Sequence, residues 1–181
     1  MKRFVFHKQV SFLFPYAHYV LKLFNAHNVL YKRTQPYHYI VDNIYLGDFR
    51  IATDLHKLQQ LNITHVVNCA ITLPNVFQSR TCTRTCNNIT YCKLPLYDTP
   101  SQQLFPSLHT ALTFINNVPK TSNILIHCAR GMSRSCSVVL WYLMQTKQMS
   151  YNDALTYVRN IRPIVHPNKS FQLQLLNNIK H

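Results

Sequence analysis

Residues 124–135 read ILIHCARGMSRS, and this stretch decides the fold. Ile124, Leu125 and Ile126 form a short apolar run of the kind that fills a buried strand. The run stops at His127, and beyond a glycine the chain enters a longer apolar stretch of helical length. Strand, turn and helix follow without a spacer, so Cys128 falls where the helix begins. The unpaired N–H groups and partial positive charge of a helix start favour a thiolate there, and equally a bound phosphate. The chain contains only two glycines, Gly47 and Gly131. Gly131 stands where the backbone must curl so that successive N–H groups aim at the oxygens of an anion. Arg134, three residues on, offers a planar guanidinium able to grip two more oxygens at once. A free cysteine is commonly a buried and inert side chain, and the residues alone leave that reading open beside the chemical one.

Outward from this loop the same alternation continues. Residues 40–46 predict an apolar strand closed by a turn at Gly47 and Asp48, and Ala52, Leu55, Leu58 and Leu61 predict one short helix. Residues 63–70 (ITHVVNCA) and 89–96 (ITYCKLPL) read as two further strands, separated by a polar, cysteine-containing loop over 72–88. Leu104, Leu108, Ala111, Leu112 and Ile115 share one helical face that Pro119 terminates, and residues 123–127 are the strand that feeds the loop. Residues 135–145 are apolar nearly all round, which predicts a central helix. Ser150 and Asp153 form a capping box for a helix whose inner face is Ala154, Leu155, Val158 and Ile161, with Pro163 at its end. Pro167 and Asn168 open a last helix buried through Phe171, Leu175, Leu176 and Ile179. Strands alternating with helices predict a single α/β domain with a mostly parallel central sheet flanked by helices.

The loop HCARGMSRS resembles the phosphate-binding loop of the cysteine-based protein tyrosine phosphatases, and Ser135 with Tyr142-Leu143-Met144 resembles the dual-specificity branch. Residues 41–48 (VDNIYLGD) are similar to that branch's opening strand, 95–100 (PLYDTP) to its general-acid loop, and 161–175 (IRPIVHPNKSFQLQL) to its closing segment. The resemblance covers residues 37–181 and implies a phosphatase-like fold. It implies Cys128 as nucleophile, Arg134 as the group that holds phosphate and transition state, and His127 as a residue orienting the loop. Ala129, Arg130, Gly131, Met132, Ser133 and Arg134 would bind the substrate phosphate, and Ser135 would hydrogen-bond the sulfur to help it leave. No metal and no cofactor is required. Two stretches, LFPSL after the acid loop and PNKSF in the closing segment, depart from the family pattern without touching a catalytic group.

A departing alkoxide or phenoxide needs a proton, and the chain has only five acids, all aspartates. Asp42 and Asp48 flank the opening strand in turn positions, Asp54 lies in the first turns of the first helix, and Asp153 belongs to the capping box. Asp98 is left. It follows the strand over 89–96, as Cys128 follows its own strand, and parallel sheets gather their carboxyl strand ends on one edge, where ligands bind. Asp98 is therefore the expected general acid and base.

The remaining expectations concern surroundings. Nineteen Lys and Arg give a formal charge of +14, which attracts polyanions such as phosphoproteins, RNA or acidic membrane without choosing among them. Residues 1–36 form a basic, aromatic extension whose stripe Tyr16, Tyr19, Val20, Leu23, Phe24 and His27 or Leu30 predicts an amphipathic helix. That helix would pack on its own domain, join a homodimer or meet a membrane surface. No secretion signal or membrane-spanning run is expected, and a catalytic thiolate implies a reducing, intracellular setting, cytoplasmic or nuclear. Cys82, Cys86 and Cys92 cluster loosely, a spacing that a disulfide in an oxidising compartment would also fit, but the thiolate needs the opposite. The leading function is a protein phosphatase acting on phosphotyrosine and on phosphoserine or phosphothreonine, with phosphorylated proteins as partners. The alternatives are an RNA 5′-phosphatase or phosphoinositide phosphatase, and an inactive phosphate-binding scaffold working through the N-terminal helix.

Overall fold

The computed structural model of the protein describes residues 34–78 and 89–177. Its opening stretch is a hairpin, β1 (Tyr37–Val41) and β2 (Ile44–Gly47), paired antiparallel, and not the single strand expected over 40–46. The reversal is made at Asp42, whose φ of 53° is left-handed. Aspartate tolerates that region better than most side chains, so the turn costs little. The short helix expected next is two helices, α1 (Phe49–Ala52) and α2 (Leu55–Gln60). Asp54 interrupts them by capping α2, its side chain accepting from Lys57 N at 3.0 Å. Asp48 caps α1 in the same way, accepting from Arg50 N at 2.7 Å. Two aspartates six residues apart, each better as a cap than inside a helix, therefore divide what the apolar spacing joined.

Strands β3 (Ile63–Asn68), β4 (Thr90–Lys93) and β5 (Asn123–His127) complete a five-stranded sheet in the order β1-β2-β5-β3-β4. All pairings except the hairpin are parallel, with β5 in the middle between β2 and β3. This is the mostly parallel sheet the alternation implies. Ile124, Leu125 and Ile126 are fully buried, as the centre of a two-sided sheet requires. Helix α3 (Phe105–Asn116) buries Leu108, Ala111 and Ile115. Helix α4 (Arg134–Thr146) is buried continuously from Ser135 to Met144, and Trp141 meets Phe105 edge-on at 5.4 Å. Truncating any of its leucines to alanine would cost about 2–5 kcal/mol.

Helix α5 (Tyr151–Ile161) opens on Ser150, which accepts from Asp153 N at 3.1 Å while its hydroxyl meets the Asp153 carboxylate at 2.6 Å. Helix α6 (Lys169–Asn177) follows Asn168, whose side chain accepts from Phe171 N at 3.0 Å. Phe171 and Leu175 are buried, but Leu176 is exposed at 37% and does not belong to the inner face, because at this point the helix presents only one narrow stripe to the core. Leu112 and Ile161 are half-buried at the margins of their faces. Among the described residues no helix is long and apolar enough to cross a membrane. The amphipathic stripe over 15–30, Cys82, Cys86 and Ile179 lie outside the described residues.

Candidate active site

Three strand ends build the site. Strands β3, β4 and β5 run in the same direction, with Asn68 level with both His127 and Lys93. The segments that leave them, carrying Cys69, Asp98 and Cys128, therefore emerge on one edge. Cys69 N donates to His127 O at 2.8 Å, which keeps the β3 and β5 exits side by side one residue past the sheet.

Beyond His127 the chain wraps around the Cys128 sulfur. Gly131 N donates to Cys128 Sγ at 3.3 Å and the Ser135 hydroxyl donates to it at 3.2 Å. Burial alone would push the thiol up. The Arg134 guanidinium, the Ser135 hydroxyl and the N–H groups of Ser135 and Met132 outweigh it and bring Cys128 below the ordinary thiol range. The other buried cysteines show the contrast. Burial raises Cys69, Cys92 and Cys136, and no such ring of donors relieves them. Among the described cysteines, only the one at the helix start is made acidic.

Gly131 has φ of +65°, and a Cβ built there would stand 2.5 Å from Gly47 O and 2.8 Å from the Arg162 guanidinium. Both the left-handed backbone and the close approach of β2 demand glycine at this position. Gly47, the second glycine, has no room either, since a Cβ would meet the Ile51 side chain at 2.5 Å. The two glycines of the chain are thus pressed against one another, one from the loop and one from β2.

Arg134 lies beside the sulfur with its side chain 12% exposed. Its Nε is buried and makes no hydrogen bond, while Nη1 reaches Leu96 O at 3.5 Å. The same guanidinium is ion-paired with a carboxylate across the loop, and its planar fork suits the oxygens of a bound anion. Asp98 Oδ2 stands 3.6 Å from that Nε. Asp98 Oδ1 accepts from the Ser133 hydroxyl at 2.7 Å and from Asn168 Nδ2 at 2.9 Å. Asp98, Cys128, Ser133, Arg134 and Ser135 are accordingly brought together at the sheet edge. His127 is buried in β5, and desolvation pushes its imidazole down to about 3, with Lys93 and Arg134 acting in the same direction against a favourable backbone contact to Cys128. It is a neutral ring under the loop. Arg130 is half-buried, with its carbonyl turned to Arg162, and Ala129 O receives Phe49 N at 3.3 Å.

Of the other aspartates, Asp42 accepts from the Tyr142 hydroxyl at 2.7 Å and pairs with Lys147 at 2.9 Å, far from the sulfur's surroundings. Asp48 holds Arg50, and Asp54 and Asp153 are helix caps. Asn168 has a second connection that its capping role did not announce: the same side chain that starts α6 reaches Asp98. Lys93 is also drawn into the neighbourhood, with its ammonium donating to Ala70 O and Leu73 O and burial pushing it down to about 8. Nothing in the spacing of residues marks these two, because their partners come from other elements.

A sheet-edge cysteine ringed by N–H groups, with an arginine and a carboxylate converging on it, defines a cysteine-dependent phosphate-handling domain. The family model "Dual specificity phosphatase, catalytic domain" matches residues 44–180, and the chain belongs to that family. Among curated proteins it is 36% identical over 139 residues to the protein-tyrosine-phosphatase MKP1 of Arabidopsis thaliana, covering 76% of this chain and 17% of that protein. It is 36% identical over 143 residues to the dual specificity protein phosphatase Mpk3 of Drosophila melanogaster, covering 78% of this chain and 33% of that one. The chain thus spans no more than a third of the length of these relatives. Among solved structures, human DUSP28 superimposes with a TM-score of 0.70 at 24% identity, over 80% of this chain and 93% of that one, a likeness of fold.

Proposed function

We propose that this chain is a protein phosphatase that hydrolyses phosphotyrosine and phosphoserine or phosphothreonine through a cysteinyl-phosphate intermediate. The observation that carries the proposal is the environment of one sulfur: Cys128 receives the Gly131 N–H and the Ser135 hydroxyl, beside an Arg134 whose Nε is 3.6 Å from Asp98. Names of the relatives given above, a protein-tyrosine-phosphatase and a dual specificity protein phosphatase, support the substrate class.

The reaction runs in two displacements. Cys128 thiolate attacks phosphorus in line and the ester P–O bond breaks, while the Asp98 carboxylic acid gives its proton to the leaving oxygen. Asp98, now a carboxylate, takes a proton from water as that water attacks the cysteinyl phosphate. The S–P bond breaks, phosphate leaves, and the sulfur regains its thiolate form under the Ser135 hydroxyl. Arg134 and the N–H groups of residues 129–134 hold the equatorial oxygens throughout, and such fixed donors usually supply the largest part of the rate. Ser133 and Asn168 hold Asp98 Oδ1, so that Oδ2, beside Arg134 Nε, is the oxygen that would serve the leaving group. His127, neutral and buried, shapes the loop and transfers no proton.

Thiolate chemistry fits a reducing compartment, cytoplasmic or nuclear. The +14 charge favours acidic, phosphorylated partners generally. Phosphate release from a phosphotyrosine peptide and a phosphothreonine peptide, run beside a 5′-triphosphorylated RNA and a phosphoinositide, tests the reading. Faster release from either peptide is expected. Preference for the RNA or the lipid would overturn it.

A further inference from the structure

The loop's N–H groups can point at an anion only if its carbonyls point away, since C=O and N–H of one peptide unit are opposed across a rigid plane. Outward carbonyls that are buried must then find donors elsewhere. Here they do. Ala129 O receives Phe49 N at 3.3 Å, Met132 O receives His166 N at 2.9 Å, and the two carbonyls between them are taken by one side chain. Arg162 Nε donates to Gly131 O at 2.9 Å and Arg162 Nη2 to Arg130 O at 3.2 Å.

The peptide units that Arg162 grips are 130–131 and 131–132. Their N–H groups are those of Gly131 and Met132, both of which face the Cys128 sulfur. Arg162 therefore touches neither sulfur nor substrate, yet holds the orientation of both donors. Local sequence explains its place. It caps the C-terminus of α5 with φ −130° and ψ 88°, outside the helical region that the following Pro163 disfavours, and this turns the side chain off the helix and under the loop. The side chain is fully buried. A buried guanidinium needs partners for its donors, and Nη1 meets His38 Nδ1 of β1 at 3.0 Å. His38 accepts as a neutral ring, since burial and Arg162 both lower its basicity.

We propose that Arg162, seated against His38, is a positioning residue that sets the acidity of Cys128 and the oxyanion affinity of the loop by locking the 130–131 and 131–132 peptide planes. The inference rests on Cys128 being the nucleophile of the proposed function, but it is read without turnover. In Arg162→Met the pH midpoint for alkylation of Cys128 by iodoacetamide is expected to rise by about one unit, or ~10-fold less thiolate below it. Tungstate, as an oxyanion probe, should bind roughly 10- to 100-fold more weakly, the scale of one hydrogen bond to a charged group, since Arg162 acts on the oxyanion only through the loop. Arg162→Lys, which keeps the charge and loses the fork, should lie between, and His38→Gln, which leaves Arg162 in place, should shift both readouts less. A lower melting temperature for Arg162→Met with an unchanged alkylation midpoint and tungstate affinity would make Arg162 merely structural and overturn the proposal. If Arg162→Met does not fold, unchanged readouts in Arg162→Lys and His38→Gln overturn it equally. Peptide phosphatase activity missing from the unaltered chain would sink the functional reading while these shifts remained.

Discussion

The loop over 128–135 and the segment over 94–104 meet through Ser133, Arg134 and Asp98 and are built in opposite ways. The first has no exposed residue, alternating buried with half-buried positions, with its carbonyls tied to α1, Arg162 and the chain before α6. The second runs through Tyr97, Asp98, Thr99 and Pro100 at the surface, with Tyr97 52% exposed. It is held at a few points: Gln102 accepts from Tyr97 N at 3.0 Å, Ser170 donates to Pro100 O at 2.7 Å, and Asp98 rests on Ser133 and Asn168. The difference matches what each part does in the proposed mechanism. A cradle for charge works by being fixed before the charge arrives, whereas a proton donor must admit the substrate and then reach its leaving oxygen.

Variants separate the two regions by the size and kind of their effects. Cys128→Ser is expected to lower turnover of p-nitrophenyl phosphate at least ~10⁴-fold, since no other group replaces the thiolate. Tungstate binding should persist in that variant, and its loss would mean that the cradle depends on the sulfur it surrounds. Arg134→Lys should lower kcat ~10³-fold by removing the two-pronged contact, with the same loss for good and poor leaving groups. Asp98→Asn should instead show a graded effect: a loss of ~10²-fold for phenyl phosphate, and much less for p-nitrophenyl phosphate, whose oxygen leaves without help. A uniform loss would place the acid elsewhere.

Smaller changes sharpen the contrast further. Cys128 lies below the ordinary thiol range partly through Ser135, so the thiolate, and with it kcat/KM, survives to lower pH than for a free cysteine. Ser135→Ala should move the acid limb of the pH profile upward, lowering activity ~10-fold on the acid side of the limb and much less on its plateau, within the range of a hydrogen bond to a charged group. Asn168→Ala, which frees Asp98 from one of its two donors, should cost only a few-fold in kcat for phenyl phosphate. A larger effect than that of Arg134→Lys would show that the acid segment, and not the cradle, is the part that must be rigid.

Much of the fold was legible because burial and periodicity agree wherever an element is apolar on both sides. The run at 124–126, the all-round apolar helix after it and the Ser150 box are set by their own residues. Boundaries went astray where polar residues near an element decide it: Asp42 turned one expected strand into a hairpin, and Asp54 divided one expected helix. In the site, Cys128, Gly131, Arg134 and Ser135 are close in sequence, so their spacing alone places them around one turn. Asp98 was reached from the scarcity of acids together with the rule that parallel strands end on one edge, and the structure puts it 3.6 Å from Arg134.

By itself, then, the sequence determined the strand-turn-helix loop, the place of Cys128 at the helix start and the sheet edge that Asp98 shares with it, since each depends on neighbours along the chain or on strand polarity. Only the tertiary structure decided how those parts are held: Asn168 and Ser133 on Asp98, Gly47 against Gly131, and Arg162 with His38 beneath the loop. Those contacts join residues distant in the chain, and a hydrogen bond between them depends on where two separately formed elements come to rest, which no local pattern records.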